Sequence, residues 1–234
     1  MEEQEEQGGK TPFGDADREL AWMIESGRLA EAQYVEGTSW AHIDLEPYKR
    51  GEQVIAPPAF MRVGERALLY PGRPHVFFGE SESLKSWAAI LACREVTAEG
   101  YSALYVDFEG TEASFVERCR TARIPEAVIG GALRYAHPTE PLLGSGPRTT
   151  LARSQWVEEV GGITGLVVFD GVSECYALHD WNINSAEDAA RFQHAFRIEG
   201  PASIAIDHTA KEAGRGILGS QHKRAGLDLS LIHI

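Results

Sequence analysis

The sequence predicts an α/β fold with a mostly parallel central sheet that helices cover on both faces. Apolar strand-like segments alternate along the chain with helix-like segments at short spacing. The central strand-like segments are apolar at consecutive positions, as is typical of strands that are buried on both faces. Most of them end in polar residues, and the carboxyl ends of parallel strands share one edge of a sheet, where ligands bind.

The predicted elements follow each other in a regular order. Two short apolar runs, "RALLY" and "HVFF", are separated by the turn sequence "PGRP". Four further strand-like segments are "SALYVDFEG", "ALRYAH", "GLVVFDG" and "SIAIDH". Helices are predicted between them, at 85–98, in "TEASFVERCRTA", near 149–160 and in "SAEDAARFQHAF". Thr111 is the predicted N-cap of the second of these helices, with Ser114 in its first turn.

The core is predicted to span residues 65–228, with shorter segments on either side. Residues 1–14 are acidic and poor in apolar residues, which predicts a disordered tail. Residues 15–64 predict a small extension, made of one amphipathic helix at 16–34 and an irregular connector at 35–64. Residues 229–234 are interpreted as a non-native tail and are left out of the functional argument.

Composition and charge exclude several functional classes. The 234 residues carry a net charge of −13, which argues against a broad basic face that coats nucleic acid, but not against a local basic loop or an oligomeric channel. No apolar run approaches the length of a membrane span, and the acidic N-terminus is not a targeting signal. Cys93, Cys119 and Cys175 lack metal-ligand spacing and are expected to be reduced packing residues. We therefore expect a cytoplasmic protein that does not associate with membranes.

Residues 75–96 contain a near-match to a phosphate-binding loop, whose pattern is Gly, four residues, Gly, Lys and Ser or Thr. Gly79, Lys85 and Ser86 have the required spacing, between a predicted strand and a predicted helix. In such a loop the backbone N–H groups wrap a phosphate, Lys85 would reach the terminal phosphates and Ser86 would ligate Mg²⁺. The candidate cofactor-binding residues of this segment are Gly79, Glu80, Ser81, Glu82, Ser83, Leu84, Lys85, Ser86 and Trp87.

Leu84 is the departure from the pattern, because it occupies the position of the second glycine. Its side chain must point away from the phosphates, or the backbone must shift. The backbone N–H group is kept in either case, so we expect nucleotide binding that is weakened or altered. A vestigial loop is the alternative interpretation.

Polar residues at the ends of other strands supply the remaining candidates. Asp170 ends the apolar run "LVVFD", the Walker B pattern in which an aspartate holds Mg²⁺ through water; a strand-ending Asp before a turn is the alternative. Glu109 is the candidate that activates the attacking water, on a strand expected to lie beside the phosphate-loop helix, and Asp107 is the runner-up. His208 would contact the terminal phosphate or would only cap its strand. The candidate catalytic residues are Glu109, Lys85 and His208.

The segment "KEAGRGILGSQHKRAG" forms a basic, glycine-rich island in an acidic chain. Its basic residues could contact DNA phosphates or reach the nucleotide of a neighbouring subunit. A solvated loop is the alternative for each of them. These candidates are Lys211, Arg215, Lys223 and Arg224.

With these motifs, the chain resembles the RecA-like P-loop ATPases, and among them the RepA/DnaB-type hexameric helicases of actinobacterial phages, plasmids and mobile elements. The resemblance covers about residues 66–228 and rests on the segments "YPG", "GESESLKSW", "DGVSE" and "GSQHK". It implies a RecA-like core, a homo-oligomeric ring expected to be a hexamer, ATP and Mg²⁺ at subunit junctions, and DNA as a partner. It also implies that the natural protein continues beyond this chain.

The resemblance assigns roles residue by residue. Glu109 matches the catalytic glutamate, Asp170 the Walker B aspartate and His208 the phosphate-sensing polar residue. Lys223 or Arg224 lies near the segment that supplies basic residues to a neighbouring subunit's site. The family pattern is kept at these positions, and Leu84 departs from it.

The sequence thus predicts an ATP-hydrolysing motor domain that acts in DNA replication, as a helicase or a helicase loader. A nucleotide-gated regulator with weak or no hydrolysis is one alternative, and Leu84 supports it. A RecA-type recombinase, which forms filaments instead of rings, is another. A small-molecule P-loop kinase is a third, and Glu109 argues against it because a kinase has no need of a water-activating carboxylate.

Overall fold

The structure, a computed structural model, describes residues 45–51, 59–80, 82–144, 146–208 and 230–233. The chain divides into two compact units, Met1–Val54 and Ile55–Ile234. The described part of the first unit contains the short helix α1 (Glu46–Lys49). The predicted acidic tail, the predicted helix at 16–34 and the four basic candidates at 211–224 lie outside the described residues.

The second unit contains eight described strands and five described helices. In chain order they are β1 (Phe60–Val63), β2 (Arg66–Leu69), β3 (Pro74–Gly79), α2 (Lys85–Ala98), β4 (Ala103–Asp107), α3 (Glu112–Thr121), β5 (Leu133–Ala136), α4 (Pro147–Gly161), β6 (Leu166–Asp170), α5 (Val172–Leu178), α6 (Ala186–Ala195), β7 (Ala202–His208) and β8 (Ser230–His233). None of the helices in the described part of the chain is long and apolar enough to cross a membrane.

Six of these strands form one parallel sheet in the order β5-β4-β6-β7-β3-β8. The predicted α/β class with a mostly parallel sheet is confirmed, and this architecture is consistent with a Rossmann-like or RecA-like fold. Although β4 follows β3 in the chain, β6 and β7 lie between them. Helix α2 crosses these strands and contacts β4, so the strand that leads to Glu109 does lie beside this helix.

Helices cover both faces of the sheet because side chains at consecutive positions of its strands point to opposite faces. On one face, Val168 packs in a core with residues of α2 and α3, among them Ile90 and Phe115. On the other face, Val167 and Phe169 pack with residues of α4, α5 and the end of α6. The consecutive apolar residues of "LVVF" are therefore all buried.

The predictions for residues 35–64 and for the segment after Asp170 were incomplete. Within the irregular connector predicted at 35–64, the described residues include the regular elements α1 and β1. Strand β1 pairs with β2 in antiparallel fashion, and this pairing places Phe60 opposite Leu69, both buried in the core. Helix α5 was not predicted, and β8 falls within the segment that the sequence marked as a non-native tail.

The three cysteines are buried and none of them forms a disulfide. Cys93 and Cys119 belong to the core under α2 and α3, and Cys175 belongs to the core on the opposite face. Burial raises the pKa of the Cys119 thiol to about 11. These cysteines therefore behave as small apolar packing residues.

His75 is fully buried and joins three parts of the fold. Its Nε2 accepts a hydrogen bond from the Tyr70 backbone N–H at 3.1 Å, and its Nδ1 lies 3.1 Å from the Ser203 carbonyl oxygen, to which it donates. This pattern requires the neutral ring, because a protonated Nε2 could not accept. Burial accordingly lowers the pKa of His75 below 6.5.

We predict that His75 makes the fold sensitive to acid. Because the unfolded state takes up the proton more readily, stability is fully present above pH 6.5 and falls as the pH drops below it, by at most about 1.4 kcal/mol per pH unit from this one group. Urea unfolding between pH 7.5 and 5 should show a smaller pH dependence in His75→Gln than in the parent. The exposed His194, changed to Gln, is the control, and an equal pH dependence in all three proteins would contradict the prediction.

Candidate functional site

The residue before α2 has the left-handed conformation that the pattern implies for its second glycine. Leu84 has φ 65° and ψ 19°, in the left-handed region, directly before the first residue of α2. This is the reason why the pattern has glycine there, since only glycine adopts that region without steric strain. The Leu84 side chain is 65% exposed. The chain thus keeps the backbone course with leucine in place, and the side chain extends into solvent.

Lys85 is buried and its ammonium group bridges the loop. Its Nζ donates to the carbonyl oxygens of Gly79, at 3.1 Å, and of Glu80, at 2.6 Å, and to the Ser83 hydroxyl at 3.2 Å. Burial lowers the pKa of Lys85, and the nearby carboxylates, Asp170 first among them, oppose this effect. The predicted lysine therefore lies inside the loop and faces acidic neighbours.

Asp170 lies at the end of β6, 4% exposed, and joins neighbouring elements. Its Oδ2 accepts a hydrogen bond of 2.5 Å from the hydroxyl of Tyr105 on β4, and Ser86, at the start of α2, lies near its carboxylate in the same cleft. Burial raises the pKa of Asp170, and the hydroxyls of Tyr105 and Ser86 lower it. The two candidate metal ligands, Ser86 and Asp170, are therefore neighbours in this cleft.

Glu109 lies just beyond the end of β4, exposed at the opening of the site. Partial desolvation of its carboxylate by the walls of the cleft, followed by the charges of Glu174 and Asp170, raises the pKa of Glu109, and His208 lowers it. A carboxylate with a raised pKa is a better proton acceptor, as a water-activating group requires. Asp107, the runner-up, is 1% exposed, and its Oδ1 accepts hydrogen bonds from the backbone N–H groups of Glu109 and Gly110. Asp107 therefore shapes the turn that presents Glu109.

These residues line one cleft of about 460 Å³ at the carboxyl ends of the strands. The cleft unites nine of the predicted site residues: Glu82, Ser83, Leu84, Lys85, Ser86, Trp87, Glu109, Asp170 and His208. Gly79 and Glu80 contact it through their carbonyl groups, which bind Lys85. Ser81 lies outside the described residues, as do Lys211, Arg215, Lys223 and Arg224.

A second cleft, of about 480 Å³, lies between α6 and the sheet. It is lined by residues such as Pro74, Val76 and Phe192, and by none of the candidate site residues. This cleft lies against side chains in β3 and β7, on the face of the sheet and not at the carboxyl ends of the strands. The cleft at the strand ends is therefore the better candidate, because convergent polar groups mark ligand sites in parallel sheets.

Arg118 is a site residue that the sequence reasoning missed. It lies on α3 and lines the cleft, with its guanidinium 3.5 Å from Asp107 Oδ2 and 3.9 Å from Asp170 Oδ2. Its Nε donates to the Ser114 carbonyl oxygen at 3.3 Å, which fixes the side chain along its own helix. The only sequence feature that could have indicated Arg118 is its place in the helix that follows an acid-ended strand. This feature is a weak indication of a site residue.

Helix α3 begins where the sequence predicted, and the position of its start determines where Arg118 lies. The Ser114 backbone N–H donates to Thr111 Oγ1, and the Thr111 backbone N–H donates to Ser114 Oγ, so the two residues form a reciprocal cap. The predicted N-cap is therefore confirmed. This cap sets the helix start directly after the turn that carries Glu109.

The donor set fits a magnesium ion that is brought by a nucleotide. Among the described residues, no group of three or more His, Cys, Asp or Glu side chains is arranged to hold a metal ion. Mg²⁺, however, is usually bound through one or two carboxylates, with water and phosphate oxygens completing its coordination. The neighbouring oxygens of Ser86 and Asp170 suit that second arrangement.

Comparison with known proteins adds no relative. The sequence matches no model of a known protein family and no curated protein. The functional argument therefore depends on the geometry of the cleft and on the motifs that form it.

We predict that Leu84→Gly stabilises the fold by about 0.5–1 kcal/mol. The left-handed conformation strains leucine by about 1–2 kcal/mol, and the greater freedom of glycine in the unfolded chain offsets part of the relief. Urea unfolding measures the difference. Leu84→Ala is the matched control, because alanine keeps the Cβ atom that causes the strain. A similar gain from alanine would contradict the explanation.

We predict that Arg118→Met destabilises the fold by about 2–3 kcal/mol, because it leaves the buried carboxylates of Asp107 and Asp170 without their cation. Urea unfolding at pH 7.5 measures the loss. Arg120→Met, on the same helix, removes an exposed pair with Glu126 and should change stability little. Equal losses in the two variants would show that Arg118 does not stabilise the carboxylates.

Proposed function

We propose that this chain is a P-loop ATPase domain that binds ATP with Mg²⁺ in the cleft at the strand ends. The observation that carries the proposal is the meeting of Lys85, Ser86, Asp170, Glu109 and His208 in one cleft, although they come from four different strand ends and helix starts. Each has the chemistry that one part of a nucleotide site requires. A chance match to one motif would not bring the other residues to the same place.

Phosphate binding follows from the loop and the helix that it precedes. Helix α2 begins at Lys85, and its first backbone N–H groups are free to bind an anion. Lys85 donates to loop oxygens in this structure, and a terminal phosphate would replace those acceptors with charged ones. Mg²⁺, when bound with the nucleotide, neutralises charge on the phosphates, and Ser86 and Asp170 would hold it.

Hydrolysis requires a group that takes a proton from water, and Glu109 is the candidate for it. The water oxygen forms a bond to the terminal phosphorus, the bond from that phosphorus to the bridging oxygen of ADP breaks, and the proton passes to Glu109. The raised pKa of Glu109 favours this transfer. His208, which lines the same cleft, would contact the transferred phosphate.

The biological role that we propose is a motor in DNA replication, as a RepA/DnaB-like helicase or helicase loader. Support comes from the sequence resemblance, because the cleft by itself argues only for ATP hydrolysis. DNA and a homo-oligomeric ring, expected to be a hexamer, are the proposed partners. Electron microscopy with DNA and a non-hydrolysable ATP analogue separates this role from a recombinase, since rings support the helicase and filaments the recombinase.

A nucleotide-gated regulator with weak or no hydrolysis is the second candidate. It is favoured by the closed arrangement of Lys85, which already donates to three loop oxygens. These bonds must be given up when a phosphate binds. The strained Leu84 could add to the free energy that this rearrangement requires. ATP binding without turnover would select this candidate.

Calorimetric titration with Mg²⁺·ATP tests the proposed function. We predict that the parent binds one nucleotide and that Lys85→Ala weakens binding by roughly ten- to a hundredfold, as expected from the loss of charge-assisted hydrogen bonds worth about 1.5–3 kcal/mol. Lys49→Ala, which removes an exposed lysine of α1, is the control and should bind like the parent. Phosphate release measured on the same samples separates the ATPase from the regulator.

The comparison with Leu84→Gly decides what the departure from the pattern does. Binding by the parent that Lys85→Ala removes shows that the loop works with leucine in place. Binding only by Leu84→Gly would indicate a loop that no longer functions in this chain. Absence of binding in the parent and in Leu84→Gly alike would contradict the proposed nucleotide site.

A further inference from the structure

Glu174 lies beside Glu109, although the argument for ATP hydrolysis has not used it. It belongs to α5, which begins directly after the turn that follows Asp170. A Cβ atom on Gly171, which has φ 86°, would lie 3.1 Å from Glu174 Oε2 and 3.2 Å from Glu109 Cβ. The Glu174 carboxylate and the Glu109 side chain therefore both pack close to Gly171, which makes the two residues neighbours.

Two polar atoms around Glu109 have no partner in the described part of the chain. Oε2 of Glu174 and Nδ1 of His208 are both buried and form no hydrogen bond there. Buried polar atoms in proteins almost always bind protein, water or ligand, so each unpaired one requires an explanation. An acceptor oxygen and a ring nitrogen together offer the contacts that an ordered water molecule needs, since such a water makes two to four hydrogen bonds.

The charges of both residues reach Glu109. Glu174 raises the pKa of Glu109, and His208 lowers it. His208 is fixed by its strand, which pairs with β3, and its neighbour Asp207 lies 3.5 Å from the hydroxyl of Ser173, next to Glu174. The ends of β4 and β7 and the start of α5 therefore meet next to Glu109.

We propose that Glu174 is a positioning residue for ATP hydrolysis, which holds, together with His208, the water molecule that Glu109 activates. The inference rests on the proposed function, because it concerns the reaction of the same cleft. The water donates one hydrogen bond to Glu174 and presents its other proton to Glu109, which takes it as the oxygen attacks the terminal phosphorus and ADP leaves. Glu174 keeps its charge throughout and forms no covalent bond.

A structural role for Glu174 predicts a different result from a positioning role. A residue that only supports the turn after β6 would affect folding and nucleotide affinity together, because Asp170 lies in the same turn. A residue that orients water acts only on the chemical step. Its loss should therefore lower kcat and leave both KM and the Kd for Mg²⁺·ATP unchanged.

The experiment compares the full chain with Glu174→Gln, which keeps the size of the side chain and removes its charge. We predict a fall in kcat of at least tenfold, with KM and Kd within twofold of the parent. Glu158→Gln, on the exposed face of α4, is the matched control and should retain the kcat of the parent. An unchanged kcat in Glu174→Gln, or losses of equal size in kcat and in affinity, would overturn the inference.

A second variant covers the case in which Glu174→Gln does not fold. Glu174→Asp keeps the charge but shortens the side chain by one methylene. If Glu174 positions water, kcat should fall. If only its negative charge matters, kcat should not change. A kcat equal to that of the parent would overturn the inference.

The two proposals fail in different ways. If the parent binds and hydrolyses ATP and both Glu174 variants match it, only the positioning role falls. If the parent binds ATP without hydrolysis, the regulator is supported and the inference is overturned. If the parent does not bind Mg²⁺·ATP, the proposed function is contradicted and the inference falls with it.

Discussion

The buried carboxylate of Asp170 is the constraint on which the rest of the site depends. It ends an interior strand whose other residues are apolar, so its charge is placed where water cannot stabilise it. The hydroxyls of Tyr105 and Ser86 and the guanidinium of Arg118 provide that stabilisation. These partners come from β4, α2 and α3. One carboxylate thus fixes three elements relative to β6, and these elements carry the other functional groups.

The strand order explains why those groups meet. The chain leaves β3, crosses two strand positions and returns through β6 and β7 to lie beside β3 again. The loop between β3 and α2, the turn at Glu109 and the end of β7 therefore reach the same edge, from positions that are far apart in the sequence. Ligand sites in parallel sheets form at such edges because polar groups can end there without interrupting the core.

Much of this arrangement could be predicted from the sequence, because it depends on local patterns. Apolar runs that end in acids identified β4 and β6, and Thr111 marked the start of α3. Other features depend on tertiary contacts that no local pattern reports. Strand β1 is only four residues long and is stabilised by Phe60 packing in the core, and it was missed for that reason.

The missed site residues have the same explanation. Arg118 reaches the cleft only because α3 passes over the ends of β4 and β6, and in the sequence it looks like any helical arginine. Glu174 follows the Asp170 turn, but its nearness to Glu109 arises from the pairing of β4 with β6. For Leu84 the sequence indicated a departure from the pattern, and only the backbone angles show that the left-handed conformation is kept.

The central claim, that Asp170 and Ser86 form a magnesium-nucleotide site, is tested most directly with Mn²⁺ as a spectroscopic substitute for Mg²⁺. Electron paramagnetic resonance counts the Mn²⁺ bound to the protein with and without ATP, for the parent and for Asp170→Asn, with thermal unfolding to show that both are folded. The account predicts one Mn²⁺ per chain that binds only with ATP and is lost or greatly weakened in Asp170→Asn. Equal binding by the two folded proteins, or no ATP-dependent binding by the parent, would contradict it.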